Sequence, residues 1–540
     1  MYLLTNSLTL ILDEMAPIKT IQVRNKFCPW LSNETKILQS ERNHLQKIAG
    51  LTNDKDDWNK YKAVRNKINN RLKNEKKNWQ RIKLESAKND PSETWKNVKG
   101  WLGWSSGGPP QKLIEKGKEY NKPNDLARIM NEYFVNKVKN LRKNLPENPG
   151  DPLENVARLM QNRKCIFTLD YVHPDCVMEI ITKMKTTKTV GIDNIDSYVI
   201  KLAKNELTPS ITHIINLSIQ SKIFPTAWKT AKVVPLHKKE EKTSPQNYRP
   251  VALLPLFSKI LEKAVFIQTI EYLESNELLH PSHHGFRKYH NTCTALIEMH
   301  DAWMEALENE EISAVILVDM SCAFDCVDSE ILIEKLKLYG GDPSSVQWFQ
   351  SYLTNRSQKV FIEGSLSSSL SLEAGVPQGS ILGPLLYVLF TNDLPEIVHL
   401  LENCAQHQHL QVPPKSQVPL QAQAPLQAQY NLHCQHCGGL CCYADDSTFS
   451  KSNKDPVILK EEIDLAYNKI ADYMNKNKLI LNSEKTHLIV MASSKNHKKY
   501  NNYNITLNTG NEIIEPSPYE KLLGGYISCD LTWNLNIRDH

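Results

Sequence analysis

No run of about 18 apolar residues occurs in the 540-residue chain, so a membrane-spanning helix is not expected. The first residues, Met1 to Leu12, have no basic leading segment. Thr5, Asn6, Ser7 and Thr9 interrupt their apolar character, and they read as a buried element rather than a secretory signal. The 12 cysteines, scattered from Cys28 to Cys529, are too sparse for a disulfide scaffold. They suit a reduced intracellular protein, nuclear or cytoplasmic. Neither charge sign dominates, because 65 Lys and Arg stand against 60 Asp and Glu, and the net balance of +5 excludes no partner class. A hydrophobic share of 41% excludes a mainly disordered chain and leaves ample material for a large core.

Local distribution says more than the totals. Residues 41–100 carry 16 Lys and Arg against 8 Asp and Glu, an excess larger than that of the whole chain. Within them Trp58, Tyr61, Val64, Ile68 and Leu72 recur at steps of three or four, which predicts an amphipathic helix. Its basic face is either simply solvated or held against a phosphate backbone, where Lys and Arg release counterions. Breaks follow at Gly100–Pro110 and at Asn144–Pro152. From about Phe167, helix and strand patterns alternate. Pro174–Lys185, Leu207–Lys222 and Leu254–Leu273 read as helices, and Lys232–Leu236 and Ala314–Val318 as strands. Residues 404–433 form a Gln/Pro-rich insertion with a short tandem repeat and no pattern that builds a core.

Two acidic constellations carry chemistry. Val315-Ile-Leu-Val-Asp319 ends an apolar strand in a carboxylate, with Asp325 and Asp328 following, and Asp328 is placed to cap a helix over Ser329–Tyr339. Cys441-Cys-Tyr-Ala-Asp445-Asp446 puts two adjacent carboxylates at a turn between strand-forming residues. An isolated Asp-Asp is usually a solvated turn. Beside apolar strands the pair repels itself unless a cation lies between, and hard ions such as Mg²⁺ seek such oxygens.

Tyr443-Ala-Asp-Asp resembles the Y-x-D-D box of reverse transcriptases, and Asp319 with Ala323-Phe-Asp resembles their first palm motif. Gly375-Val-Pro-Gln-Gly-Ser-Ile-Leu-Gly-Pro resembles the motif between those two. Asn247-Tyr-Arg-Pro and His284-Gly-Phe-Arg resemble the fingers motif and the one after it. Five motifs in the family's order make coincidence negligible, and over about residues 170–530 they resemble LINE-type, non-LTR, jockey-like retrotransposon enzymes. The resemblance implies an α+β right-hand polymerase fold of fingers and palm, its antiparallel palm sheet covered by helices, with a helical basic N-terminal region. It implies an RNA-directed DNA polymerase working by two-metal nucleotidyl transfer to a primer 3′-hydroxyl. Its partners would be template RNA, primer DNA and deoxynucleoside triphosphates, with no membrane.

By the same resemblance, Asp319, Asp445 and Asp446 are the catalytic carboxylates. They would bind two Mg²⁺ ions, with Mn²⁺ as an alternative, and the Met320 carbonyl is a further ligand. Asp325 is supporting. Arg249 and Lys238 would meet the triphosphate, Phe324 would exclude a ribose 2′-hydroxyl, and Gln378 and Gly379 would approach the nascent base pair. Lys485 is a candidate proton donor to pyrophosphate, and Leu522-Leu-Gly-Gly resembles the hairpin that holds the primer end.

The organisation read from sequence is therefore a junction over 1–40 after a missing endonuclease, and a basic helical region over 41–160. Fingers and palm follow over 170–530, with core motifs at 230–528 and the insertion at 404–433. The start of a truncated thumb lies at 531–540. On that reading an endonuclease would come from another chain. Zinc is not expected: His433, Cys434, His436 and Cys437 have suitable spacing, but Cys441 and Cys442 belong to the strand before the acidic turn. Two alternatives are an inactive remnant that only binds nucleic acid and a mobile-intron maturase, which fits the fingers motif less well.

Overall fold

The computed structural model describes residues 2–17, 28–88, 90–102, 108–143, 145–146, 150–187, 189–238, 240–399, 439–493, 496, 505–510 and 512–532. The insertion at 404–433 and the cluster His433, Cys434, His436 and Cys437 lie outside these residues, as do 533–540. The chain divides into two units, Leu10–Gly108 and Met1–Thr9 with Pro109–His540, so one boundary falls inside the stretch 1–40 and the other inside 41–160.

In the smaller unit, helices Asn33–Thr52 and Lys55–Ser86 pack on each other across a two-residue link. Asn53 turns the link in left-handed backbone, and Asp54 caps the second helix through the Asp56 amide. Ile68 is buried and Trp58, Tyr61, Val64 and Leu72 are half-buried, so the apolar stripe faces the partner helix. Lys67, Lys73 and Lys77 are exposed. Arg71 is not free for an outside anion: it pairs with Glu34 and, at 3.2 Å, with Glu75, tying the two helices together. The N-terminal reading needs correction. Tyr2–Met15, whose first residues belong to the larger unit, is a helix with Leu3, Leu10, Ile11 and Met15 exposed and Leu8 buried.

The larger unit is an α+β assembly on two main sheets. The first joins Tyr248–Leu253, Thr230–His237, Ser357–Ile362 and Ser365–Leu366 in that order, with Leu370–Ser371 added beside Ser357–Ile362. Helix Pro123–Lys143 covers it, burying Ile129, Met130 and Phe134 against Val233, Ala252 and Val360. Asn131 fixes that docking, because its amide donates to Ser367 Oγ at 2.9 Å and its oxygen accepts from Gln358 at 3.0 Å.

The second sheet is antiparallel, in the order His487–Met491, Ile312–Val318, Asp446–Asn453, Gly439–Tyr443. Its central strand is covered on both faces, which explains the unbroken apolar run. Val315, Cys441, Ile489 and Met491 pack with Trp303 and Met299 of helix Thr292–Glu308 and with Leu522 and Ile527 of a terminal hairpin. That hairpin pairs Tyr519–Leu522 with Gly525–Ser528, and Leu523 and Gly524 at its tip both have positive φ, as a tight two-residue turn requires. No helix among the described residues is long and apolar enough to cross a membrane.

Candidate active site

Strand register assembles the carboxylates. Ser447 lies opposite Val318, so one residue further Asp446 faces Asp319 across adjacent strands. Asp446 also pairs with Tyr443, leaving Ala444 and Asp445 as the hairpin tip. Ala444 has φ +57, a left-handed conformation that side chains rarely adopt. The neighbouring loop over-determines it. Cys442 N donates to Ser282 O at 2.9 Å and His284 N to Cys442 O at 2.8 Å. A Cβ on Gly285 would lie 2.4 Å from the Ala444 nitrogen, so only glycine lets the two backbones meet.

Asp319 ends the central strand. Its backbone oxygen accepts from Asn482 N at 3.0 Å, and Ser321 N donates to Ile480 O at 2.8 Å. Met320, opposite Leu481 in this bridge, therefore turns its own carbonyl toward the other side, where Asp446 lies. The Asp319 carboxylate is met by Lys485 Nζ at 3.4 Å and Asn482 Nδ2 at 3.3 Å.

Part of Asp446 reaches solvent, yet its pKa is pushed up to about 6, first by desolvation and then by the charges of Asp445 and Asp319. Crowded like charges of this kind suit a divalent cation. Among the described residues, no three Asp, Glu, His or Cys side chains close a metal cage by themselves. Such an open arrangement is compatible with Mg²⁺, which keeps waters and shares substrate phosphates rather than filling an all-protein cage. The oxygens that could hold it are those of Asp319, Asp445, Asp446 and the Met320 carbonyl.

A pH dependence follows. An acid whose folded pKa is raised holds its proton more tightly when folded, so its contribution to stability falls as pH climbs from about 4 through 6. Without divalent ions, Asp446→Asn should raise the melting temperature at pH 7.5 by roughly 1–2 °C and flatten that slope. Mg²⁺ should stabilise the parent chain more than the variant, and less below pH 6. A variant melting below the parent in EDTA would contradict this account.

Behind Asp319 the chain makes the short helix Ala323–Cys326, entered through Cys322 at φ +54. Phe324 stacks on the buried Tyr387 ring at 4.6 Å and meets Phe286 edge-on at 6.3 Å. Its backbone is zipped to the Gly375–Gly379 loop, since Val376 N donates to Phe324 O at 2.9 Å. Gln378 Nε2 donates to Asp325 Oδ2 at 2.9 Å, and burial pushes the Asp325 carboxyl up to about 6. Gly379, at φ +100, approaches Ala252 so closely that a Cβ would stand 2.6 Å from its oxygen. Of the expected residues, Asp319, Met320, Asp445, Asp446 and Lys485 gather at one place. Phe324 follows Asp319 in the chain, and Gln378 and Gly379 lie on the loop zipped to its backbone.

Lys238 and Arg249 belong to the first sheet's edge, where Arg249 sits opposite Leu236. Lys238 has a lowered pKa, first from desolvation and then from Arg249, Lys137 and Lys485. Arg249, Lys137 and Lys485 come from three other elements. Lys137 escaped the sequence reading because it lies on Pro123–Lys143, far ahead of the motifs. The usable signal was the end of that helix's apolar stripe at Phe134, with basic residues beyond it.

The family described as reverse transcriptase (RNA-dependent DNA polymerase) matches residues 236–507. The chain is 31% identical over 242 residues to the probable RNA-directed DNA polymerase from transposon BS of Drosophila melanogaster, covering 44% of this chain and 26% of that protein. It is 32% identical over 220 residues to the RNA-directed DNA polymerase from mobile element jockey of the same species, covering 41% and 24%. The jockey polymerase of Drosophila funebris is 31% identical over 271 residues, covering 50% and 30%. The matched stretch thus spans roughly a quarter to a third of each relative's length.

Proposed function

The chain belongs to the reverse transcriptase (RNA-dependent DNA polymerase) family, and from that premise we propose that it adds deoxynucleotides to a primer 3′-hydroxyl on an RNA template. The element type would be LINE-like, close to the jockey class. The observation that carries this reading is the register that faces Asp446 toward Asp319, beside the Asp445 tip. The antiparallel sheet then serves as palm and the sheet of Lys238 and Arg249 as fingers.

Two divalent ions, when bound, would favour ionisation of the attacking hydroxyl and steady the departing pyrophosphate. Asp319, Asp445 and Asp446 would hold them on rigid strands. Arg249 offers a planar fork of donors to phosphate oxygens, and Lys238 a point charge. Lys485, 3.4 Å from Asp319, would be the candidate proton donor to the departing pyrophosphate. The ring of Phe324, braced by Tyr387, would stand under the sugar and clash with a 2′-hydroxyl. The exposed Lys67, Lys73 and Lys77 offer salt-sensitive contacts to a nucleic-acid backbone.

Sugar selection tests this assignment. Single-nucleotide addition to a DNA primer on an RNA template should favour deoxynucleotides, and Phe324→Ala should raise ribonucleotide use relative to them by about tenfold or more. A folded variant with unchanged discrimination would make the ring a packing residue only. A separate expectation concerns Gly285→Ala. The added methyl must displace the Ala444 backbone, so turnover should fall roughly 10²-fold with primer–template affinity little changed. A parental rate in Gly285→Ala would mean that the catalytic turn does not depend on this loop.

A further inference from the structure

Glu262 lies on helix Leu256–Ser275, is fully buried, and forms no ion pair among the described residues. Three donors use its oxygens instead. Ser258 Oγ donates to Oε1 at 2.7 Å, and Ile381 N and Leu382 N donate to Oε2 at 2.8 and 3.3 Å. The carboxylate thus reaches from one helix to the first amides of another, Leu382–Thr391, where Ile381 supplies no side-chain cap of its own. The next amide, Gly383 N, donates to Ser380 Oγ at 2.8 Å, and that hydroxyl donates to Pro377 O at 2.8 Å.

What Glu262 holds is the exit of the loop that carries Gln378, which stands three positions before Ile381. The entrance is fixed by main-chain bonds, Gly375 N to Val327 O at 2.8 Å and Val376 N to Phe324 O at 2.9 Å. The middle is fixed by Ala252 N, which donates to Gln378 O at 3.2 Å, and by the Gln378 bond to Asp325. So short a segment has little slack, and a shift at the exit must be taken up at Gln378. The helix behind it is tied to the site as well. Its Tyr387 stacks on Phe324 and points its hydroxyl at the Met320 sulfur, 3.4 Å away. Thr391 O, at its far end, accepts from His283 Nε2 at 2.9 Å, beside the loop that braces Ala444.

We propose that Glu262 is a positioning residue that sets where the Gln378 loop stands, through the reach of its carboxylate rather than through its charge. The consequence for nucleotide addition rests on the polymerase reading, whereas the bonds to Ile381 and Leu382 do not. A glutamine would preserve them: its oxygen can accept from both amides while its nitrogen donates to Ser258 Oγ. An aspartate keeps the charge and stops one methylene short.

The test uses the full chain with Glu262→Gln and Glu262→Asp, each alone and combined with Gln378→Ala. The first readout is amide hydrogen exchange over residues 375–383, which needs no catalysis. Exchange there should quicken about tenfold or more in Glu262→Asp, stay near parental in Glu262→Gln, and leave strand Ile312–Val318 protected in both. The second readout is single addition of matched and mismatched deoxynucleotides. Glu262→Asp should lower kcat for the matched nucleotide about tenfold and matched-over-mismatched preference about threefold, with Glu262→Gln within threefold of the parent in both. If Glu262 acts through the loop, adding Gln378→Ala to Glu262→Asp should cost less than about threefold more, because contacting parts of one device are not additive. Parental exchange in Glu262→Asp would overturn the proposal, as would equal losses in Glu262→Gln. So would losses that multiply with Gln378→Ala, or that match the unfolded fraction with preference unchanged, since either marks a general support of the fold. Quickened exchange in Glu262→Asp, in a chain whose parent adds no nucleotide, would keep the loop's dependence on Glu262 and sink the polymerase reading alone.

Discussion

Asp445→Asn should cut templated deoxynucleotide addition by on the order of 10²–10³-fold or more while primer–template affinity stays within about twofold. Asp445 sits at the exposed tip of the hairpin and, among the described residues, its side chain joins no buried hydrogen-bond network, so its amide replacement should leave the fold intact. What the substitution removes is a negative oxygen ligand. Nucleic-acid affinity rests mainly on backbone charge and should hardly change. Addition and binding should be measured on the same preparation. Equal losses in both would assign Asp445 to structure rather than chemistry.

A second large effect is expected from a buried ion pair away from the acidic turn. Lys335 and Asp393 form an ion pair at 2.7 Å, and both side chains are fully buried. Lys335 also donates to Phe390 O at 2.7 Å, and Tyr473 donates to Asp393 Oδ1 at 2.8 Å. Burial lowers the Lys335 pKa, and Asp393 opposes that shift. Asp393→Ala leaves a buried ammonium without its counter-charge and should cost about 3–5 kcal/mol. Lys335→Met added to Asp393→Ala removes the stranded charge, so the double variant should be more stable than the single one. Denaturant midpoints read through the buried Trp303 and Trp348 report both. A single variant within about 1 kcal/mol of the parent would show that the pair is dispensable.

The parts of this molecule written in local sequence were legible. An apolar run ending in Asp319 and a Tyr-Ala-Asp-Asp turn announce a strand end and a hairpin, because period and turn chemistry are local. Asp328 was legible as a cap for the same reason, and it does accept the Glu330 and Ile331 amides. Contacts between distant segments were not. Gly285 needs no special φ of its own, so its purpose appears only once Ala444 lies against it. Lys335 and Asp393 sit 58 positions apart, and neither looks unlike a surface residue in its own segment. In sequence Arg71 is one more cation on a basic helix, and only the packing of the two helices brings Glu34 to it. The N-terminal segment was misjudged because its composition looked apolar, whereas burial depends on what packs against it.

Time-resolved extension of a DNA primer annealed to RNA, by the purified chain with Mg²⁺ and deoxynucleoside triphosphates, tests the central claim most directly. The account predicts template-directed products that disappear with EDTA and with Asp319→Asn or Asp445→Asn. A correctly folded parent chain that adds no nucleotide would contradict it, as would products that persist when both carboxylates are neutralised.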